Sequence, residues 1–200
     1  IIIGTAVHKF KHAMQTNTHK NQRGFVPGRF LVHNAIDLDS AGRILSMRSM
    51  HHNSDALKKV LACLAFFDFA AAFPFMIHGW IFAVLKHLKF PIGFFNLIKT
   101  LYLNNGAYST MTGQLVFLFW YLSGVIQGCP GSAFLFDTAL DPFLAAFEKI
   151  LELAGRGILR ACADDIGVAV KSLSAFKYML PIFNLAEALA GLTLKPAKCI

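Results

Sequence analysis

The sequence predicts an α+β domain with a largely antiparallel sheet. Three observations carry this. Segments with helical apolar spacing alternate with short apolar runs bounded by turn residues. Two tight-turn signals, Thr112-Gly113 and Asp164-Asp165, each sit between β-type runs and mark hairpins. Of the 200 residues, 56% are hydrophobic and only 15% charged, enough apolar surface for one real core.

Residues 1–20 are polar, basic and helical in part. NQRGFVPGRF (21–30) is a Gly/Pro loop carrying Arg23 and Arg29. Leu31 to about Met50 has helical spacing, with Leu31, Ala35, Leu38, Ile44 and Leu45 as core positions. HHNSD (51–55) reads as a loop, and Val60 to Asp68 as a buried strand. Pro74 fits the first turn of a helix from about Phe75 to Leu88. Pro91 opens a further helix that ends near Asn104-Asn105-Gly106. Ala107–Thr112 and Leu115–Leu122 form a hairpin. GVIQGCPGS (124–132) turns into a helix of roughly Ala133 to Leu153. The Asp-Asp hairpin spans 158–170, a helix runs from about Ser174 to Ala190, and LTLKP (192–196) is a short strand.

The net charge of +8 is unevenly placed. Residues 1–60 hold nine Lys/Arg against three Asp/Glu, and residues 61–200 hold ten against eight. A basic N-terminal third suggests a polyanionic partner, most simply nucleic acid. Cys63, Cys129, Cys162 and Cys199 are far apart with no C-x-x-C pair, which indicates free thiols in a reducing compartment, not a zinc site or disulfide framework. His8 and His12, spaced i, i+4, have no further ligand nearby and read as surface residues. No signal peptide is visible, and because the chain begins at Ile1 and not at Met, a piece of a longer protein is expected. Residues 60–85 are long and apolar enough to cross a bilayer. Against a span, Asp68 near its middle costs about 2.5–3.5 kcal/mol on insertion scales, and Pro74 splits the segment in two.

The acids raise the functional question. ACADDIGVAV (161–170) puts two adjacent carboxylates inside an apolar run. Neighbouring side chains in a strand face opposite ways, so one would be driven unpaired into the core. A tight turn that carries both at its tip avoids this. Asp68 lies at the end of the most apolar strand, in AFFDFAAAF (65–73). Were those strands neighbours, three carboxylates would converge at one sheet edge. Such a cluster needs cations, and oxygen ligands in this number suit two Mg²⁺ with Mn²⁺ as a substitute.

The ordered blocks QRGFVPGRF, FFDFAAAF, GVIQGCPGSAFLF, CADD and GLTLKPAKC resemble the reverse transcriptase domain of LINE-type (non-LTR) retrotransposons, over about Asn21 to Cys199. The resemblance implies the fingers and palm of a right-hand polymerase, the thumb being absent, with residues 1–59 as partial fingers and 60–200 as palm that includes some fingers-contributed helices. It implies RNA-directed DNA synthesis with an RNA template, a DNA primer and dNTPs as partners, and no membrane. Asp68, Asp164 and Asp165 match the family's catalytic, metal-binding aspartates. Ala71 and Ala72 match the backbone positions facing the triphosphate, and Phe73 matches the aromatic that crowds the sugar 2′ position. Gln127 and Gly128 match the Gln-Gly beside the incoming nucleotide and template. Lys198 matches the lysine near the pyrophosphate leaving group. Arg23 and Arg29 fall in the fingers loop, where they would meet template or triphosphate oxygens.

The chain departs from the family pattern at three places. Cys162 stands where an aromatic is usual, Pro74 where a second acid is usual, and Gly131 where Leu is frequent. The first fingers block, the thumb and any endonuclease would lie elsewhere in a parent polyprotein. Two alternatives stay open at this point: a catalytically dead relic that only binds nucleic acid, and a protein spanning a membrane through residues 60–85. The apolar composition also fits a palm whose surface is normally covered by the rest of the protein.

Overall fold

The computed structural model describes residues 2–52 and 61–200. Helix α1 (Ile2–Asn17) and helix α2 (Val32–His52) flank the Gly/Pro loop. Strand β1 (Cys63–Phe67) leads to a short helix α3 (Ala72–Phe75), then α4 (His78–His87) and α5 (Ile92–Tyr102). The hairpin β2 (Gly106–Met111) and β3 (Gln114–Trp120) precedes the long helix α6 (Ser132–Leu151). A second hairpin, β4 (Gly157–Cys162) and β5 (Asp165–Val170), is followed by α7 (Phe176–Ala190). Single 3₁₀ turns lie at Leu173–Ala175 and Pro196–Lys198.

The main sheet has the order β1-β5-β4, all antiparallel. Helices α6 and α7 pack together beneath it, and α2 crosses the opposite face. β5 is central, and Ile166 to Val170 are all buried. This explains its unbroken apolar run, since both faces are covered. Gly167 lets α2 pack closely: a Cβ there would lie 2.6 Å from Leu38 Cδ1, and that side chain would have to shift. The core runs along α6, where Phe136, Leu140, Leu144 and Phe147 are at most 1% exposed.

The smaller hairpin turns through Thr112 (φ 50°) and Gly113 (φ 79°), two left-handed residues that match the right-handed twist of paired strands. All seven residues of β3 are exposed on both faces.

Several expected elements differ. The strand read over 60–68 is Cys63–Phe67, and it is buried on one face only, with Leu64 and Phe66 exposed; Val60 lies outside the described residues. The helix read over 75–88 is two helices, because Ile77 leaves the helical path to bond Ala190 O while Met76 O accepts from Gly124 N. LTLKP forms a single bridge, Phe69↔Leu194, not a strand. Among the α2 residues whose burial is described, only Asn34 and Leu38 are buried; Ala35 and Ile44 are exposed, as is Leu31 just before the helix. His51 and His52, read as loop, belong to α2, while residues 53–55 lie outside the described region. Among the described residues no helix is long and apolar enough to cross a membrane, and residues 61–85 form β1, α3 and most of α4. The four cysteines are free.

Candidate active site

The antiparallel pairing of β1 with β5 ends at Phe67↔Ile166. Asp68 follows β1 and Asp165 precedes Ile166, so both acids lie at this end of the sheet. Across β5, Asp165 pairs with Cys162, so Ala163 and Asp164 form a two-residue turn. Ala163 takes φ 53°, a conformation that an L-residue adopts only when its surroundings hold it. Asp68, Asp165 and Lys198 line one cleft of about 440 Å³, floored by Phe66, Phe67 and Gly167 and roofed by α2.

Asp164 feels the charge of the other two acids. Burial raises the Asp164 carboxyl above its ordinary range, and the charges of Asp165 and Asp68 push it in the same direction; Lys198 opposes them. Burial, followed by Asp165, Asp137 and Asp164, pushes the Cys162 thiol up. Lys198 Nζ lies 3.1 Å from Asp68 Oδ2. That oxygen is buried and takes no hydrogen bond of acceptable geometry, so the contact is ionic and not a directed bond. Among the described residues, no three His, Cys, Asp or Glu side chains are closed into a ready-made metal cluster.

Lys198 reaches Asp68 because the C-terminal segment runs beside β1. Lys195 N donates to Asp68 O (2.9 Å), Phe66 N to Ile200 O (2.8 Å) and Ile200 N to Phe66 O (3.1 Å). Ala71 (φ 47°) precedes α3, and Ala72 is buried. Phe73 stacks on Phe136 with centroids 4.3 Å apart and rings 7° from parallel, and Phe25 meets it edge-on at 6.2 Å. Its carbonyl accepts from Val125 N. A Cβ on Gly124 would lie 2.8 Å from Pro74 O, so the loop after β3 is pressed onto the Asp68–Pro74 segment. Gln127 and Gly128 follow in that loop, both exposed, with Gln127 lining a second cleft of about 720 Å³ beside Pro74, Phe75 and His78.

The two loop arginines are engaged inside the protein. Arg29 donates to the carbonyls of Gln15, Thr18, His19 and Gln22, tying down the end of α1. Arg23 pairs with Asp37 at 2.7 Å, and Arg160 of β4 meets the same carboxylate oxygen at 2.7 Å.

Other polar residues here were not singled out by sequence reasoning. Gln22 is fully buried against the Ala163 turn. Asp137 and Asp141 lie on α6; burial and their mutual charge push Asp137 up to about 8, and burial pushes Asp141 up to about 7. Both acids are one turn apart in LFDTALD, which marks an aspartate pair on one helix face but not its burial.

A sequence model of the family described as reverse transcriptase (RNA-dependent DNA polymerase) matches residues 2–200. The uncharacterized 149 kDa protein of transposon TX1 from Xenopus laevis is 27% identical over 171 residues, 82% of this chain and 12% of its own length. The retrovirus-related Pol polyprotein from type-2 retrotransposable element R2DM of Drosophila melanogaster is 27% identical over 187 residues, 92% of this chain and 17% of its own. The chain thus spans less than a fifth of either relative. Among solved structures, telomerase from Candida albicans in complex with a TWJ fragment of telomeric RNA superimposes with a TM-score of 0.67 at 10% identity, over 99% of this chain and 34% of that one. That likeness establishes the fold as the fingers–palm part of a right-hand polymerase.

Proposed function

The chain belongs to the reverse transcriptase family, of the LINE-type branch that its sequence resembles, and we propose that it carries out RNA-directed DNA synthesis where Asp68 meets Asp164 and Asp165 at the tip of the β4–β5 hairpin. The observation that carries this reading is the pairing of β1 with β5, which stands both acidic segments at the same end of one sheet.

The reaction joins a primer 3′-oxygen to the α-phosphorus of a dNTP. The bond from that phosphorus to its bridging oxygen breaks, pyrophosphate leaves, and the hydroxyl gives up its proton. Two Mg²⁺, or Mn²⁺ in their place, would activate the attacking oxygen and neutralise charge on the leaving pyrophosphate. Asp68, Asp164 and Asp165 offer hard oxygen donors of the kind such ions take. They fit in a second respect: Asp68 Oδ2 is buried with no directed hydrogen bond, only the exposed Lys198 ammonium beside it, and Asp164 lies in the field of two further acids. The protein's own contribution is positioning and preset electrostatics.

Phe73, propped by Phe136, would crowd the sugar 2′ position, with Ala71 and Ala72 beside the triphosphate. Gln127 and Gly128 would border the template and incoming nucleotide, and Lys198 would move from Asp68 toward the leaving group. Arg23 and Arg29 would serve the template or triphosphate through the loop they order. We read residues 1–59 as part of the fingers and 60–200 as palm, with the rest of a larger polyprotein as covalent partner. An RNA template is supported by the family and by the RNA held in the Candida albicans telomerase structure.

The test is primer extension on an RNA template with Mg²⁺ or Mn²⁺, with Asp164→Asn as control. Extension lost in the control is the expected result. An Asp164→Asn chain that extends normally overturns the site.

A further inference from the structure

We infer that Gln22 is a positioning residue: its side-chain amide clamps the turn that presents Asp164 and Asp165. The inference rests on the proposed reading of that turn as the metal-binding tip.

The amide is used on both sides. Nε2 donates to Ala163 O at 3.1 Å, while Oε1 accepts from Ala163 N at 2.8 Å and from Gly24 N at 2.8 Å. One side chain thereby satisfies both backbone groups of the residue before Asp164. It imitates the paired bonds that a neighbouring strand would make. Gln22 is 0% exposed, so these bonds are shielded from competing water.

The turn needs such support. A two-residue hairpin with the first residue at positive φ is normally built on glycine, yet Ala163 takes φ 53° here. A buried Ala163 with its N–H and C=O unpaired would be free to relax toward an ordinary turn, carrying both carboxylates with it. The neighbouring backbone continues the grip. Ala161 N donates to Asn21 O (2.8 Å), and Arg23 N donates to Ala161 O (2.9 Å). Asn34 Nδ2 of α2 donates to the same carbonyl at 2.9 Å. Gly24 lets the loop come this close, because a Cβ on it would lie 2.2 Å from Ala163 N. The loop is therefore a stub of extra strand on the β4 edge, ending in a side chain that finishes the turn.

The contact also gives the fingers loop a part in the chemistry that needs no contact with nucleic acid. Any movement of residues 21–24 would pass directly to the aspartates.

The test compares the full chain with Gln22→Met, which keeps the side-chain length and removes all three bonds. Ile182→Val, a small core deletion in α7, serves as a control for general destabilisation. Amide hydrogen exchange across residues 161–168, Mn²⁺ affinity by paramagnetic relaxation of water protons, and primer-extension kcat and dNTP KM are measured on each. In Gln22→Met the Ala163 amide is expected to exchange at least about tenfold faster while Val168 stays protected. Mn²⁺ binding should weaken severalfold, and kcat should fall about tenfold or more with dNTP KM within about twofold. Ile182→Val should leave all of these near wild type. Unchanged exchange at the turn overturns the clamp. A loosened turn with wild-type Mn²⁺ affinity and kcat overturns the positioning role and leaves Gln22 a folding residue. A wild-type chain that neither binds Mn²⁺ nor extends a primer overturns the metal-site reading and the positioning role with it, while exchange at Ala163 still decides whether the clamp exists.

Discussion

Lys198 Nζ sits 3.1 Å from Asp68 Oδ2, one cation against the acid at the head of the site. The lysine is exposed, so the pair adds little stability, in the range of about 0–1 kcal/mol. Its consequence is local: the ammonium occupies ground that a divalent cation on Asp68 would need. Lys198→Ala is expected to leave the unfolding midpoint almost unchanged, to tighten Mn²⁺ binding, and to slow extension through loss of the group near the pyrophosphate. Weaker Mn²⁺ binding in the variant would place Lys198 in support of the site instead of in competition with it.

Among the three acids of the site, Asp164 is the one whose charge its surroundings disfavour. Burial raises its carboxyl, and Asp165 and Asp68 add to the effect. Asp164→Asn removes one negative charge from that field while keeping the shape. The expected outcome is lost synthesis with an equal or higher unfolding midpoint, the usual sign of a site held at the expense of stability. Chemical denaturation of both chains at pH 7 checks it. A clear fall in midpoint would give the carboxylate a structural role that its surroundings do not suggest.

Much of this geometry could be read from the sequence, and the parts that could not share a cause. Two aspartates in an apolar run force a turn whatever surrounds them, so the β4–β5 hairpin was visible from local chemistry, but one residue out of place: the turn is Ala163-Asp164, and Asp165 is the first residue of β5, paired with Cys162. Pro91 and Thr112-Gly113 set α5 and the smaller hairpin in the same way. The break between α3 and α4 was not visible, because nothing local disrupts it. Ile77 is drawn out by Ala190 O, and Met76 O is taken by Gly124 N, both far away in sequence. The apolar positions of α2 misled for a related reason: the helix meets the sheet closely at Asn34 and Leu38 and again at Gly42, which lies against Leu64, while Ala35 and Ile44 face outward. Gln22 lies 141 residues from the turn it holds, and a lone Gln in a Gly-rich loop has no periodicity to mark it.

Phe73 has a double allegiance that one substitution can separate. It stacks flat on Phe136, a fully buried core residue, yet remains half-buried itself on the segment after Asp68. Phe73→Ala should cost about 2–3 kcal/mol, somewhat less than a fully buried Phe. It should also raise ribonucleotide incorporation relative to dNTP in competition assays. Destabilisation with an unchanged dNTP/rNTP ratio would confine Phe73 to the core.

Asp137 and Asp141 should make the fold sensitive to pH near neutrality. Asp137 is 1% exposed, and neither of its oxygens has a hydrogen-bond partner. Burial first, then Asp141 and more weakly Asp164, raise it from 3.8 to about 8, with Arg29 pulling the other way. Burial raises Asp141 to about 7, against a bond from His19 N and the charge of Arg29. In the unfolded chain both carboxyls titrate near their ordinary value. Between that value and the folded one the native state binds more protons, so rising pH favours unfolding. Their contribution is complete below about pH 4 and is lost as pH climbs through about 7 and then 8. Asp37 and Glu148 are shifted down, so their contribution is lost only on acidification, outside this window. Urea unfolding between pH 5.5 and 8.5 should therefore show stability falling with pH. The slope should approach about 1.4 kcal/mol per pH unit for each carboxyl still protonated in the fold. Asp137→Asn should flatten that slope and be more stable than wild type at the alkaline end. Parallel pH profiles for the two chains would mean that Asp137 is already ionised in the fold, with Arg29 carrying more of its charge than the burial suggests.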